Sequence, residues 1–194
     1  MQKIPTVFVR DEADRRYVTD TVTPNCEWVL AGEGVATRKY DGTCVMLDED
    51  GAWWARREVK PGKTPPPNYI AVETDSATGK TVGWEPIAQS AFAKFHAEAI
   101  NHERLTGRGS RDNGWEPGTY ELLGPKINGN PENIEVHWLL RHGGASVLPD
   151  SPRDFEGLSK WVPASGFEGI VWHHEDGRMA KLKARDFRAE PQSE

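Results

Sequence analysis

The chain has 194 residues, a formal net charge of −6 and eight tryptophans. That length can enclose a sizeable core in one domain, and the acidic balance excludes a broad basic coat for nucleic acid, leaving only a local patch to grip one. No apolar stretch is long enough to cross a membrane and no signal peptide is visible; a cytoplasmic location and a monomer are the expectations.

The two cysteines, Cys26 and Cys44, have no metal-ligand spacing. Cys44 lies in the apolar run Cys44-Val45-Met46-Leu47 and is expected to be a buried free thiol, which suits a reducing compartment. Thr6 to Val9 alternates, and a charged stretch follows from Arg10 to Arg16. Glu27 to Leu30 reads as a short strand. Val35 to Leu47 carries a Lys39-Tyr40-Asp41-Gly42 sequence into a strand. Asp48 to Gly51 is a turn signal, and Ala52 to Val59 returns as a second strand, so Lys39 is expected near the start of a hairpin. Pro61 to Asn68 is a proline-rich loop, and Tyr69 to Trp84 is a hairpin with its tip at Thr78-Gly79-Lys80. The apolar spacing of Ile87, Ala91, Phe92, Phe95, Ala99 and Ile100 predicts a helix over Ile87 to Leu105. A polar connection runs from Gly107 to Gly114. Gly118 to Gly124 is a strand, Lys126 to Asn133 a loop, Ile134 to Arg141 a strand and Ser151 to Lys160 a short helix. Phe167 to Lys183 is a hairpin around Asp176-Gly177.

Lys39-Tyr40-Asp41-Gly42 matches the K-x-D-G signature of enzymes that attach a nucleoside monophosphate to a lysine. Such chemistry makes definite demands. An ordinary lysine has a pKa of about 10.4, so only about one in a few thousand is neutral at pH 7. Lowering that value by roughly three units is worth about 4 kcal/mol, and burial or neighbouring positive charge can supply it. The phosphates need cations, the ribose an acceptor and the base a stacking surface. Lys39 is the candidate nucleophile. Gly42 lets the backbone approach a ligand closely, and Arg56 or Arg57 can face phosphate or ribose. Glu121 can accept from ribose hydroxyls, and His137 or Trp138 can stack on a base. Glu168 is a metal or lysine partner, with Lys181 and Lys183 as two further cations. Asp41 either assists the metal or shapes the turn.

A two-residue turn at Asp176-Gly177 would pair Trp172 with Lys181, Ile170 with Lys183 and Glu168 with Arg185. That register puts Glu168, Lys181 and Lys183 on one face, with Leu182 and Val171 on the other. This face is expected to lie opposite Lys39 across a nucleotide-sized cleft.

In this order the segments resemble the covalent nucleotidyltransferase superfamily. Lys39 to Gly42 resembles motif I and Arg56-Arg57 motif Ia. Glu121-Leu122 resembles motif III, Glu168 to Val171 motif IV, and Lys181 to Lys183 motif V. The segment Tyr120 to Pro131 is similar to the small ATP-dependent 5′–3′ RNA ligases. The resemblance implies an α+β, ATP-grasp-like nucleotidyltransferase domain of antiparallel sheets with flanking helices. A single adenylyltransferase domain over residues 1–190 is expected, with a tail at 191–194 and no C-terminal oligonucleotide-binding barrel. It also implies ATP as substrate, AMP carried covalently on Lys39, and joining of 5′-phosphate to 3′-hydroxyl RNA ends in RNA repair. Mg²⁺ or Mn²⁺ would be organised by Glu168 and Asp41. Lys181 and Lys183 would contact the α-phosphate, and Glu121 would hold the ribose. Arg38, Lys39, Gly42, Arg56, Arg57 and Trp138 complete the implied nucleotide site.

Lys126 and the segment Arg141 to Gly144 are candidates for an RNA path. Thr78 to Thr81 imitates the end of a phosphate-binding loop, but Thr74 stands where that pattern needs glycine. His96 and His102 are six residues apart, which is not a metal-binding spacing on a helix. A DNA ligase or a capping-type guanylyltransferase is the alternative within enzymes. A non-catalytic nucleotide- or nucleic-acid-binding module is the alternative outside them.

Overall fold

A computed structural model describes residues 3–106 and 115–188. The predicted connection at 107–114 and the tail at 191–194 lie outside the described residues. The elements, in order, are β1 (Phe8–Arg10), β2 (Val18–Val22), α1 (Glu27–Leu30), β3 (Val35–Lys39), β4 (Thr43–Leu47), β5 (Trp53–Val59), β6 (Ile70–Thr74), β7 (Thr81–Pro86), α2 (Ala93–Thr106), β8 (Gly118–Leu123), β9 (Trp138–Arg141), α3 (Phe155–Ala164), β10 (Gly169–His173) and β11 (Met179–Lys183). The fold is α+β with antiparallel sheets and few helices.

The chain divides into two compact units. One comprises Met1–Lys3 and Asp41–Gly144; the other comprises Ile4–Tyr40 and Ala145–Glu194. The first holds a six-stranded sheet in the order β6-β7-β5-β4-β8-β9. Alternation along these strands gives the sheet two unlike faces. Val45, Leu47, Tyr120, Leu122 and Leu139 are buried on one of them and pack with Phe92 and with Phe95, Ala99 and Ile100 of α2. The other face carries Cys44, Arg56 and Glu121, all half-buried. Cys44 is thus less enclosed than its apolar neighbours led us to expect.

The second unit holds the ribbon β1-β2 and the three-stranded sheet β11-β10-β3. One face of that sheet is its core side, where Ala36, Ile170, Trp172, Ala180 and Leu182 are buried with Phe8, Val29, Leu158 and Val162. Helix α3 begins four residues later than predicted. The Asp154 carboxylate caps it by accepting from the Gly157 N–H at 2.8 Å.

Several sequence expectations shift for local reasons. Glu27 to Leu30 is one helical turn, not a strand. Trp28 and Val29 are adjacent and both buried, so the segment lacks two-residue alternation, and the Trp28 indole donates to the Asn25 carbonyl at 3.0 Å. The predicted helix over Ile87 to Leu105 starts only at Ala93. Ser90 is extended (φ −72°, ψ 152°), its hydroxyl accepts from the Phe92 N–H, and Ile87–Gln89 forms a separate 3₁₀ turn. The strand predicted from Ile134 is confined to Trp138–Arg141, because the Asn130 side chain bonds both the N–H and the C=O of Ile134.

Candidate active site

Lys39 is the last residue of β3, and the strand that follows it, β4, belongs to a different sheet. The motif lysine therefore does not open a hairpin. Its neighbour is β10, where Lys39 lies opposite Gly169, and on the far side of β10 Gly169 lies opposite Lys183. The two lysines flank one glycine across two strand spacings, roughly 10 Å of backbone. Glu168 stands just before β10, outside the regular strand. Its carboxylate meets the Lys39 ammonium through Oε2 and the Lys183 ammonium through Oε1. Lys39 also donates to the Tyr40 carbonyl at 3.3 Å.

All three side chains are largely enclosed, at 19% (Lys39), 12% (Glu168) and 18% (Lys183) exposure. Burial alone would raise the Glu168 pKa. The charges of Lys39 and Lys183 and their hydrogen bonds outweigh it, and the carboxyl is held below its ordinary value. The expected placement of Lys39 across a cleft from these residues is replaced by a tighter arrangement. Lys39 and Lys183 belong to one sheet, and Glu168, just before β10, joins them.

The hairpin register also differs from the predicted one. Val171 pairs with Lys181 and Trp172 with Ala180. His174 N–H bonds to the Arg178 carbonyl, which leaves a three-residue loop with Gly177 at φ +89°. This one-residue slip moves Val171 onto the face of Lys181 and Lys183, together with Thr37 and Lys39. Leu182 stays on the core side. Glu168 keeps its place beside the lysines because it precedes the strand and is free of its alternation.

Gly169 has no room for a side chain. A Cβ there would lie 2.1 Å from the Leu182 carbonyl oxygen and 2.8 Å from the Lys183 Cα. Arg38, one residue before Lys39, is opposite Ile170 and so projects to the other face from Lys39. Its guanidinium lies between the rings of Tyr40 and Phe167, at 4.5 and 4.4 Å.

In the other unit, register decides two choices that the sequence left open. Arg56 pairs with Trp84 and shares the face of Glu121 and Cys44, whereas Arg57 is on the side of Ala55, 3.9 Å from the buried Glu85. Trp138 pairs with Leu123 and lies on the Glu121 face. His137 turns to α2, where it stacks on Phe95 at 4.8 Å and bonds Glu98 at 2.7 Å. Lys126, a candidate for an RNA path, lines with His137 and Lys94 a groove of about 600 Å³ beside α2.

The Asp41-Gly42 half of the motif is tied to β8. The Gly42 N–H donates to Glu121 Oε1 at 3.1 Å. A Cβ at Gly42 would meet the Leu122 carbonyl at 2.5 Å and the Glu121 Cγ at 2.6 Å. Asp41 accepts from Asn128 at 3.0 Å, the same amide donates to the Gly42 carbonyl at 2.7 Å, and the Asp41 N–H donates to Glu132 at 3.1 Å. These bonds hold Asp41 in the turn. Glu121 Oε2 bonds His142 at 2.8 Å, a partner that sequence reasoning had not connected to it.

The site is thus a largely enclosed carboxylate shared by two lysines, the first of them in K-x-D-G. Comparison with known proteins gives the relationship. The family model for RNA ligase 1 matches residues 111–189. The chain is 25% identical to RNA ligase 1 of Mus musculus over 93% of its own length and 78% of that protein's. It is 25% identical to RNA ligase 1 of Rattus norvegicus, over 93% of the chain and 79% of the relative. With RNA ligase 1 of Danio rerio the identity is 33% over 72 residues, 33% of this chain and 22% of that protein. These similarities support an RNA ligase-like nucleotidyltransferase relationship.

Proposed function

We propose that this protein is an ATP-dependent RNA ligase built on an ATP-grasp-like nucleotidyltransferase fold, with Lys39 as its nucleophile. The Lys39–Glu168–Lys183 cluster carries this reading, because it holds a nucleophilic amine, its counter-charge and a phosphate-binding cation within one buried group. In the first step the Lys39 amine loses its proton and its Nζ bonds the α-phosphorus of ATP, as the bond to pyrophosphate breaks. In the second, an oxygen of an RNA 5′-phosphate takes the AMP and frees Lys39. In the third, an RNA 3′-hydroxyl attacks that activated phosphate, forming the phosphodiester and releasing AMP.

The residues present suit these steps. In the free protein the Glu168 carboxylate bridges Lys39 and Lys183. Lys183, which shares that carboxylate with Lys39, offers a cation for the arriving triphosphate. Lys181, on the same face, adds a second phosphate-directed cation. A divalent cation such as Mg²⁺ or Mn²⁺ would be held by Glu168 together with phosphate oxygens, since Mg²⁺ is commonly bound by one or two carboxylates plus substrate. It would supply charge neutralisation at the leaving pyrophosphate. Glu121 is suited to the ribose, with Arg56 and Trp138 on its side of the sheet.

The test is incubation with α-labelled ATP or GTP and Mg²⁺, followed by a denaturing gel and by ligation of 5′-phosphorylated RNA and DNA ends. Label retained from ATP and lost in Lys39→Ala, with sealing of RNA, is the expected result. Label from GTP alone would replace the reading with capping chemistry, and absence of any label would overturn it.

A further inference from the structure

Glu121 is half-buried, and both of its carboxylate oxygens already have donors. Oε1 receives the Gly42 N–H at 3.1 Å, and Oε2 lies 2.8 Å from Nε2 of His142. A carboxylate only accepts, so the proton in the second bond belongs to the imidazole. The other ring nitrogen, Nδ1, is 2.8 Å from the Thr119 hydroxyl, and the His142 N–H donates to the Thr119 carbonyl at 3.0 Å. Thr119 and Glu121 are two apart on β8 and share a face. The imidazole therefore spans two successive side chains of that face, with its backbone, Nδ1 and Nε2 all engaged.

We propose that His142 is a positioning residue for nucleotide selection, acting through Glu121 to set discrimination for the ribose. This rests on the proposed adenylylation activity and on Glu121 as the ribose acceptor. Each carboxylate oxygen can accept two hydrogen bonds, so one lone pair on each remains for a ribose hydroxyl. Two fixed donors on opposite oxygens hold the carboxylate plane. Removing His142 leaves Gly42 as the sole anchor, and the carboxylate can then turn about it. Vicinal hydroxyls need a fixed acceptor pair, whereas phosphate binding at Lys183 does not use this bond. The loss should therefore fall on ribose recognition and not on the transfer step.

The experiment compares self-adenylylation by the full chain with ATP, 2′-deoxy-ATP and 3′-deoxy-ATP. The proteins are wild type, His142→Ala, His142→Gln, Thr119→Val and Glu121→Ala. In His142→Ala the KM for ATP should rise roughly tenfold with kcat at saturation within about threefold, and preference for ATP over the deoxy analogues should fall several-fold. His142→Gln, whose amide can still donate to Glu121, should recover part of that preference. Thr119→Val should lose less of it than His142→Ala. Circular dichroism melts separate these effects from misfolding, which would lower activity with all three nucleotides alike. Unchanged discrimination in His142→Ala, alongside lost discrimination in Glu121→Ala, overturns this inference alone. A wild-type protein that takes no label overturns both it and the activity on which it rests.

Discussion

Lys39 and Lys183 flank the same residue, Gly169, and share the carboxylate of Glu168. Removing that carboxylate leaves two enclosed ammonium groups without their common partner. Breaking a buried pair in this way costs about 3–5 kcal/mol when burial is complete, and the partial exposure here places the expected loss for Glu168→Gln toward or below the low end. Adenylylation should fall by about 10²–10³-fold, the size of loss typical for a preorganised charge. Urea melts and gel labelling measure the two effects.

The same residue gives an acid signature. The folded pKa of Glu168 is below its ordinary value of 4.5, so its contribution is fully present above that value. It is lost as pH falls through 4.5 toward the lower folded value, because the unfolded chain takes up the proton first. The stability gap between wild type and Glu168→Gln should narrow over that range.

His96 acts at higher pH. It is buried against Trp53, its Nε2 has no hydrogen-bond partner among the described residues, and burial lowers its pKa to about 4. A folded state that keeps the ring neutral loses stability as pH drops from about 6.5, where the unfolded ring begins to protonate. The integrated loss by pH 4 is roughly 3 kcal/mol. His96→Phe should flatten the denaturation midpoint between pH 6.5 and 4.5 while keeping the contribution of Glu168 below 4.5.

Gly42→Ala should damage both fold and site. The new methyl would enter the space of the Leu122 carbonyl and the Glu121 Cγ, an overpacking cost of about 1–3 kcal/mol. Relief requires Glu121 to move, so the KM for ATP should rise even where the protein stays folded. Thermal melts and nucleotide titration check the two parts.

Arg56 and Arg57 should separate cleanly. Arg56 shares the face of Glu121, and Arg56→Ala should lower adenylylation by about tenfold or more. Arg57 is half-exposed beside Glu85, and Arg57→Ala should leave labelling within about twofold while costing up to about 1 kcal/mol in a melt.

Most strands were legible from alternation and turn residues, whereas Glu168 meets Lys183 in a register other than the one that predicted it. That register was not legible. Asp176-Gly177 reads equally well as a two-residue turn or as the end of a three-residue loop, and only the fold shows Glu175 inside the loop. Ser90 interrupts an apolar period that runs unbroken through it, since a period records which side chains are apolar and not where a serine bonds its own backbone. Nothing local linked His142 to Glu121. Their contact depends on β8 and β9 pairing so that the chain leaving Arg141 bends back over Thr119. Arg38 was grouped with the nucleotide site through its place beside Lys39, yet alternation alone turns it to the opposite face.

The missing side chain at Gly169 works as a lateral gauge. The three nearest atoms that a Cβ there would meet all belong to β11. A bulkier residue would therefore press first on the strand of Lys183. On the function proposed above, Lys183 would be mistuned first, from a position that carries no charge. The covalent carrier proposed at Lys39 would stay chemically intact.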